Sequence, residues 1–85
     1  MQSFNYTIRD EVGIHARPAG LIVKKCKESG CAVEIKCGDK TADGTKLFSI
    51  MSLGVKKGDT VEVTLTGDNE EEAAASLLKF FEENL

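Results

Sequence analysis

The sequence lacks the features that mark several classes of protein. No apolar run approaches the roughly 20 residues of a membrane span, so we expect no direct membrane binding. The first five residues, Met-Gln-Ser-Phe-Asn, show neither a basic stretch nor an apolar one, so no signal peptide is evident. No repeat, linker or low-complexity run divides the 85 residues. One domain over residues 1–85 is therefore expected, in the cytoplasm.

Only three cysteines are present, and their number and spacing argue against two kinds of site. Cys26, Cys31 and Cys37 are an odd number and form no C-x-x-C pair. This argues against a disulfide framework and against zinc, which needs four ligands at tighter spacing, so no metal or cofactor is expected. Cys26 and Cys37 fall on apolar-patterned faces, which favours burial, whereas Cys31 beside Gly30 is expected to be partly exposed.

Positive charge is also limited. Eleven basic against 14 acidic residues give a net charge of −3, which argues against general nucleic-acid binding. A nucleic-acid-binding sheet would need exposed aromatic residues on its strands. Phe4 and Tyr6 share the strand face of Ile8 instead, and this favours a place in the core.

Alternating apolar and polar residues predict strands at residues 4–8, 33–37 and 61–66, and a turn at Gly38-Asp39 leads into a short strand at 40–42. Helical spacing predicts helices at 16–29, 46–53 and from about residue 68 onward. The predicted apolar stripes are Ala19, Ile22, Val23 and Cys26 in the first helix, and Ala74, Leu77, Leu78 and Phe81 in the last. A capping box is expected at the start of the last helix, from Asp68 with Glu71 or Asn69 with Glu72.

These elements follow the order βαββαβα, and each strand has one polar side. The pattern predicts an α+β open-faced β-sandwich, with a four-stranded antiparallel sheet and three helices on one face.

The only histidine and the only proline stand together in Gly-Ile-His-Ala-Arg-Pro-Ala, residues 13–19. Proline is tolerated in a first helical turn, so Pro18 places His15 at or next to the N-cap. The free N–H groups of Ala16 and Arg17 then form an anion site beside the imidazole. A neutral imidazole there is a nucleophile, and the positive helix end would stabilise a phosphate attached to it. Gly13 is expected to let the chain approach the helix closely.

Each of these three residues also has a simpler explanation. A lone histidine near a helix start is most often a surface residue, proline initiates helices, and arginine is solvated. No carboxylate pair, serine nucleophile or metal cluster accompanies His15 to complete an enzyme site. If His15 handles phosphate, the pattern therefore favours a carrier over an enzyme.

The heptapeptide resembles the active-site signature of the HPr family, the histidine-containing phosphocarriers of the bacterial phosphoenolpyruvate-dependent sugar phosphotransferase system. The similarity covers essentially the whole chain. A second family region matches without a gap from His15, and it comprises Lys40, Leu47-Phe48, Ser52-Leu53-Gly54 and Gly58.

The resemblance implies that His15 accepts a phosphoryl group on Nδ1 from phosphorylated Enzyme I and passes it to a histidine of a IIA domain of a sugar permease. Arg17 and the backbone of Ala16 and Arg17 would hold the phosphate. A monomer that docks transiently on its partners is expected. The docking residues that the resemblance and the sequence pattern suggest are Gly20, Lys24, Lys27, Lys46, Leu47, Phe48 and Met51.

Two positions depart from the family pattern. Many Gram-positive members carry a regulatory serine, the substrate of a dedicated kinase, where this chain has Lys46. We therefore expect no phosphorylation by that kinase. Val12 stands where some members have a polar side chain, so the geometry of His15 should rely more on backbone groups. Two other functions remain open, a carrier of a regulatory, nitrogen-related phosphotransfer chain and an interaction module that transfers no phosphate, although paralogues of the latter kind lack the histidine.

Overall fold

Strands and helices follow one another along the chain in the predicted order, βαββαβα. The computed structural model describes residues 1–85 and contains four strands and three helices. They are β1 (Gln2–Thr7), α1 (Ala16–Ser29), β2 (Ala32–Cys37), β3 (Lys40–Asp43), α2 (Leu47–Ser52), β4 (Thr60–Thr66) and α3 (Glu70–Asn84).

The four strands form one antiparallel sheet in the order β1-β4-β2-β3. Across it, Phe4 lies opposite Val63, Val63 opposite Ile35, and Ile35 opposite Ala42. These side chains are buried or half-buried, while their neighbours along each strand are mostly exposed. Side chains of successive strand residues point to opposite faces, so the helices cover one face and the other is open. The predicted open-faced β-sandwich is confirmed.

Aromatic residues of α3 fill the core beneath β1. Phe81 is fully buried, and its ring makes edge-to-face contacts with Phe4 and Tyr6, each at a centroid distance of 5.7 Å. The buried stripe of α3 consists of Ala73, Leu77, Phe80 and Phe81. The predicted stripe was therefore wrong in part, because Phe80 is buried while Ala74 and Leu78 are half-buried.

The predicted capping box of α3 is not formed. Asn69 is the N-cap residue, but its side chain makes no capping hydrogen bond. Its Oδ1 instead accepts a hydrogen bond from the Cys31 thiol, at 3.3 Å. Glu70, rather than Glu71 or Glu72, bonds back to the preceding turn by accepting the Gly67 N–H at 3.1 Å.

Two of the three cysteines differ from expectation. Cys31 is buried rather than partly exposed, because it packs against Gly67 and Asn69 at the start of α3. Cys37 is only half-buried, since it ends β2 at the turn into β3. Cys26 is buried as predicted, and all three thiols are free.

Candidate functional site

His15 is the N-cap residue of α1. Its backbone is extended, with φ −117° and ψ −172°, and its carbonyl accepts the Ala19 N–H at 2.9 Å. The imidazole makes no capping hydrogen bond to the helix and is half-buried. The predicted N-cap position is confirmed, and the ring is left available for chemistry at the surface.

The first turn of α1 presents backbone donors beside this ring. Ala16 and Arg17 are the first two helical residues, so their N–H groups have no acceptor within the helix, and both residues are exposed. Pro18, which has no N–H, is buried in the same turn. An anion placed here would meet two N–H groups, the positive end of a 14-residue helix and the Arg17 guanidinium.

Gly13 brings the segment before His15 against the loop that follows α2. A Cβ at Gly13 would lie 2.3 Å from the Val55 carbonyl oxygen and 2.8 Å from the Cα of Lys56. The neighbouring Ile14 N–H donates to that same carbonyl at 3.2 Å. Gly13 was expected to permit close approach to the helix, and this was wrong. The close contact is with a loop 42 residues further along the chain, which sequence spacing does not reveal.

The candidate docking residues of α1 share one exposed face. Gly20, Lys24 and Lys27 follow Arg17 at spacings of three, four and three residues, and all four are exposed. This is the spacing of one side of an α-helix. A cationic strip therefore begins at the His15 end of the helix and continues along its length.

The candidate docking residues around α2 are more diverse. Lys46 is the exposed N-cap residue, Phe48 is 82% exposed and Met51 is 39% exposed. Leu47, in contrast, is half-buried and packs against the core. Because α2 packs against α1 and its following loop bonds to Ile14, these side chains lie on elements adjoining the His15 segment.

The site is a surface rather than a pocket. A groove of about 210 Å³ between α1 and α3 is lined by residues such as Cys26, Val33 and Leu77 and does not include His15. No group of side chains could hold a metal ion. No helix is long and apolar enough to cross a membrane. The half-buried His15 ring lies at the surface, where a group presented by another macromolecule could reach it.

The cations around the site are free of ion-pair partners. The one salt bridge of the structure joins the Met1 amino group to Glu70. Near α2, the Thr45 hydroxyl and amide both donate to Asp43, at 2.7 and 2.8 Å, and they hold the pKa of that carboxyl below its usual value. The positive charge of Lys46 lowers that pKa further. Lys24, Lys27 and Lys46 are all exposed, and none of them forms a salt bridge.

Sequence reasoning missed two residues that shape the segment before His15. Asp10 accepts the Val12 N–H on its carboxylate at 2.8 Å, and Val55 accepts the Ile14 N–H. An aspartate two residues before an amide, followed by glycine, is a pattern typical of an Asx turn, so Asp10 could have been found. Val55 could not, because only the tertiary fold brings it there.

Known proteins resemble this chain over nearly its full length. Residues 2–83 match the family model described as PTS HPr component phosphorylation site. Phosphocarrier protein HPr of Mycoplasma genitalium is 31% identical over 85 residues, which cover 99% of this chain and 97% of the relative. Phosphocarrier protein HPr of Lysinibacillus sphaericus is 31% identical over 77 residues, covering 91% and 88%.

Solved structures agree with these matches. HPr-C-His from Thermoanaerobacter tengcongensis superimposes with a TM-score of 0.92 at 32% identity, covering 98% of this chain and 93% of that one. HPr from Bacillus anthracis gives a TM-score of 0.87 at 26% identity, covering 94% and 95%. The chain therefore belongs to the HPr family of the phosphotransferase system, whose members are phosphoryl carriers rather than enzymes.

Proposed function

We propose that His15 is the phosphoryl acceptor of this chain. It would take the group from phosphorylated Enzyme I, which phosphoenolpyruvate charges, and give it to a histidine of a IIA domain of a sugar permease. The observation that supports this most directly is the free imidazole of His15 beside the unpaired N–H groups of Ala16 and Arg17.

In the proposed transfer, a bond forms between the Nδ1 of His15 and phosphorus as the bond between phosphorus and the donor group of Enzyme I breaks. The phosphoryl oxygens then accept hydrogen bonds from the Ala16 and Arg17 amides and from the Arg17 guanidinium. The helix end contributes about 0.3–1 kcal/mol toward holding the charge. Such modest stabilisation suits a carrier, because the group must leave again in the second transfer.

We propose one docking surface for both partners, formed by Gly20, Lys24, Lys27, Lys46, Leu47, Phe48 and Met51. Phe48 and Met51 support it best, because both are exposed and stand three residues apart on one side of α2, so they form an apolar patch of the kind that marks interaction sites. The surrounding lysines favour fast encounter with an acidic partner surface. Leu47, which packs on the core, would contribute by holding α2 in place.

We also propose that the protein lies in the cytoplasm and is a monomer. Lys46 replaces the regulatory serine of other members, so phosphorylation by their kinase is not expected. Thr45 and Ser49, the neighbouring hydroxyl residues, are both half-buried.

The test mixes the protein with Enzyme I, magnesium and labelled phosphoenolpyruvate. We expect an acid-labile label that is absent from His15→Ala, and labelling that is slower by about tenfold or more in Arg17→Ala without loss of fold. Lys36→Ala, on the open sheet face, is the matched control for loss of an exposed cation and should label like the wild type.

Two results would contradict the proposal. A label that survives His15→Ala would refute the acceptor, and unfolding of Arg17→Ala would show a structural role for that residue. Offering the labelled protein to sugar-specific IIA domains and to a nitrogen-related IIA domain separates the sugar carrier from the regulatory one. A protein that Enzyme I never labels would be an interaction module.

A further inference from the structure

Asp10 organises the turn that leads into His15. Its Oδ1 accepts the Val12 N–H at 2.8 Å, and its backbone carbonyl accepts the Gly13 N–H at 3.0 Å. Together these bonds close an Asx turn over a tight backbone turn. The chain leaves the turn through Gly13 at φ +77°, so the direction in which it enters α1 is set here.

The same segment is fixed at both ends. The Arg9 and Asp10 N–H groups donate to the Leu85 carbonyl oxygen at 2.6 and 2.7 Å, and Ile14 donates to Val55 at 3.2 Å. Every amide from residue 9 to residue 14 except that of Glu11 therefore has a protein acceptor. The backbone before His15 is held between the end of α3 and the loop after α2.

The side chain of Val12 cannot take the place of these backbone contacts in orienting His15. Its side chain is 65% exposed and apolar, and its amide is already bonded to Asp10. Residue 12 therefore offers neither a side-chain nor a backbone donor to orient the imidazole or to meet a phosphate. The position of the ring relative to the Ala16 and Arg17 amides depends on the path of the backbone, and the Asp10 carboxylate accepts one of the hydrogen bonds that fix that path.

We infer that Asp10 is a positioning residue for phosphoryl acceptance by His15, acting through the hydrogen bond from its carboxylate to the Val12 amide. The inference rests on the proposed function of His15. Misplacement of a reacting group by about 1 Å can cost about a hundredfold in rate, so loss of this turn should be measurable.

The test compares three substitutions of Asp10 with one control. Asp10→Ala removes the acceptor, Asp10→Glu keeps the charge but moves the oxygens, and Asp10→Asn keeps an oxygen in place without the charge. Ser29→Ala is the matched control. Ser29 Oγ accepts the amide two residues later, that of Cys31, at 3.1 Å, at the other end of the same helix.

At saturating Enzyme I, we expect labelling to be slower by about tenfold or more in Asp10→Ala and Asp10→Glu. Asp10→Asn should stay within about twofold of the wild type, and Ser29→Ala should be unchanged. Equal rates for Asp10→Ala and the wild type would overturn the inference. So would an Asp10→Asn rate as low as that of Asp10→Ala, because the charge and not the turn would then matter.

An NMR measurement decides the question without Enzyme I, and so separates failure of this inference from failure of the proposed function. Asp10→Ala should speed hydrogen exchange of the Val12 amide and shift the His15 ring and Ala16 amide signals, while the Phe81 signals of the core stay in place. Asp10→Asn and Ser29→Ala should leave the His15 ring signals unchanged. Unshifted His15 signals in Asp10→Ala would overturn the inference even if no phosphoryl transfer were seen.

Discussion

Gly13 and Gly30 show how differently two glycines of similar backbone conformation can be constrained. Gly13 has φ +77° and Gly30 has φ +72°, a region that other residues enter at a cost of about 1–2 kcal/mol. A Cβ at Gly30 would meet open space, whereas one at Gly13 would run into the Val55 carbonyl. Gly13 is therefore constrained sterically as well as conformationally. It stands two residues before His15, in the segment that leads into the candidate site.

This difference predicts unequal costs for two alanine substitutions. Gly30→Ala should lower the free energy of unfolding by about 1 kcal/mol, while Gly13→Ala should lower it by about 2–5 kcal/mol because the loop after α2 must move. Urea unfolding of both variants beside the wild type measures the gap. Equal losses would mean that the Val55 loop yields freely to an added methyl group.

At the scale of the element, the short helix α2 has one side buried in the core and another side exposed to solvent. Ile50 is fully buried in the core, whereas Phe48, two residues earlier, is 82% exposed. Positions two apart lie on different sides of a helix, so one element can anchor the fold and present an aromatic surface at once. A six-residue helix is too short to be stable alone, and the packing of Ile50 holds it.

We predict that a substitution on the buried side of α2 lowers stability, whereas one on the exposed side weakens docking. Ile50→Ala should cost about 2–5 kcal/mol of stability by leaving a cavity. Phe48→Ala should change the free energy of unfolding by no more than about 0.5 kcal/mol. It should raise the KM of Enzyme I for this protein, since it removes exposed docking area. Unfolding curves and labelling kinetics on the same preparations test both claims. An unchanged KM for Phe48→Ala would remove Phe48 from the docking surface.

The elements themselves could be predicted because their signals are local. Alternation and helical spacing can be read from neighbouring residues, and the change to helical spacing together with Pro18 predicted the start of α1 to within a residue. The details that failed depend on contacts distant in sequence. Asn69 does not cap α3 because its side chain accepts a hydrogen bond from Cys31, 38 residues away. Phe80 is buried, and one of the residues that cover it is Lys25, whose Nζ lies 5.9 Å from the ring centroid.

In the candidate site, too, some features could be predicted from local sequence and others depend on tertiary contacts. His15, Arg17 and the first-turn amides follow from the heptapeptide, because an N-cap and its helix are adjacent in the chain. The contact between Gly13 and Val55 does not, since periodicity carries no information about which loops meet. Similarly, local pattern could not decide which apolar side chains of α2 face outward, and only packing against the sheet and α1 buries Ile50 and leaves Phe48 exposed.

At the scale of the whole molecule, the thiol of Cys26 is a titratable group buried in the core. Cys26 is 2% exposed, and its Sγ lies close to Val33 and to the backbone of Gly44. Burial raises the pKa of this thiol from 9.0 to about 12, and the negative charge of Asp43 adds to the shift. The thiol thus stays neutral in the folded protein at a pH where the unfolded chain would release its proton.

This difference predicts a loss of stability on the alkaline side. Below pH 9 the Cys26 thiol is protonated in both states, so its contribution to stability is fully present. As pH rises from 9 to about 12, ionisation favours the unfolded chain, and the free energy of unfolding falls by up to about 4 kcal/mol. Urea unfolding between pH 7 and 11 measures this fall. The comparison with Cys26→Ala isolates the contribution of this thiol.

Cys26→Ala should be less stable than the wild type at pH 7, because it leaves a small cavity, but its stability should decline less steeply above pH 9. The gap between the two proteins therefore narrows as pH rises. Cys37→Ala, which removes a half-buried thiol, is the matched control and should change the alkaline slope far less. Parallel curves for Cys26→Ala and the wild type would show that the buried thiol does not couple folding to pH.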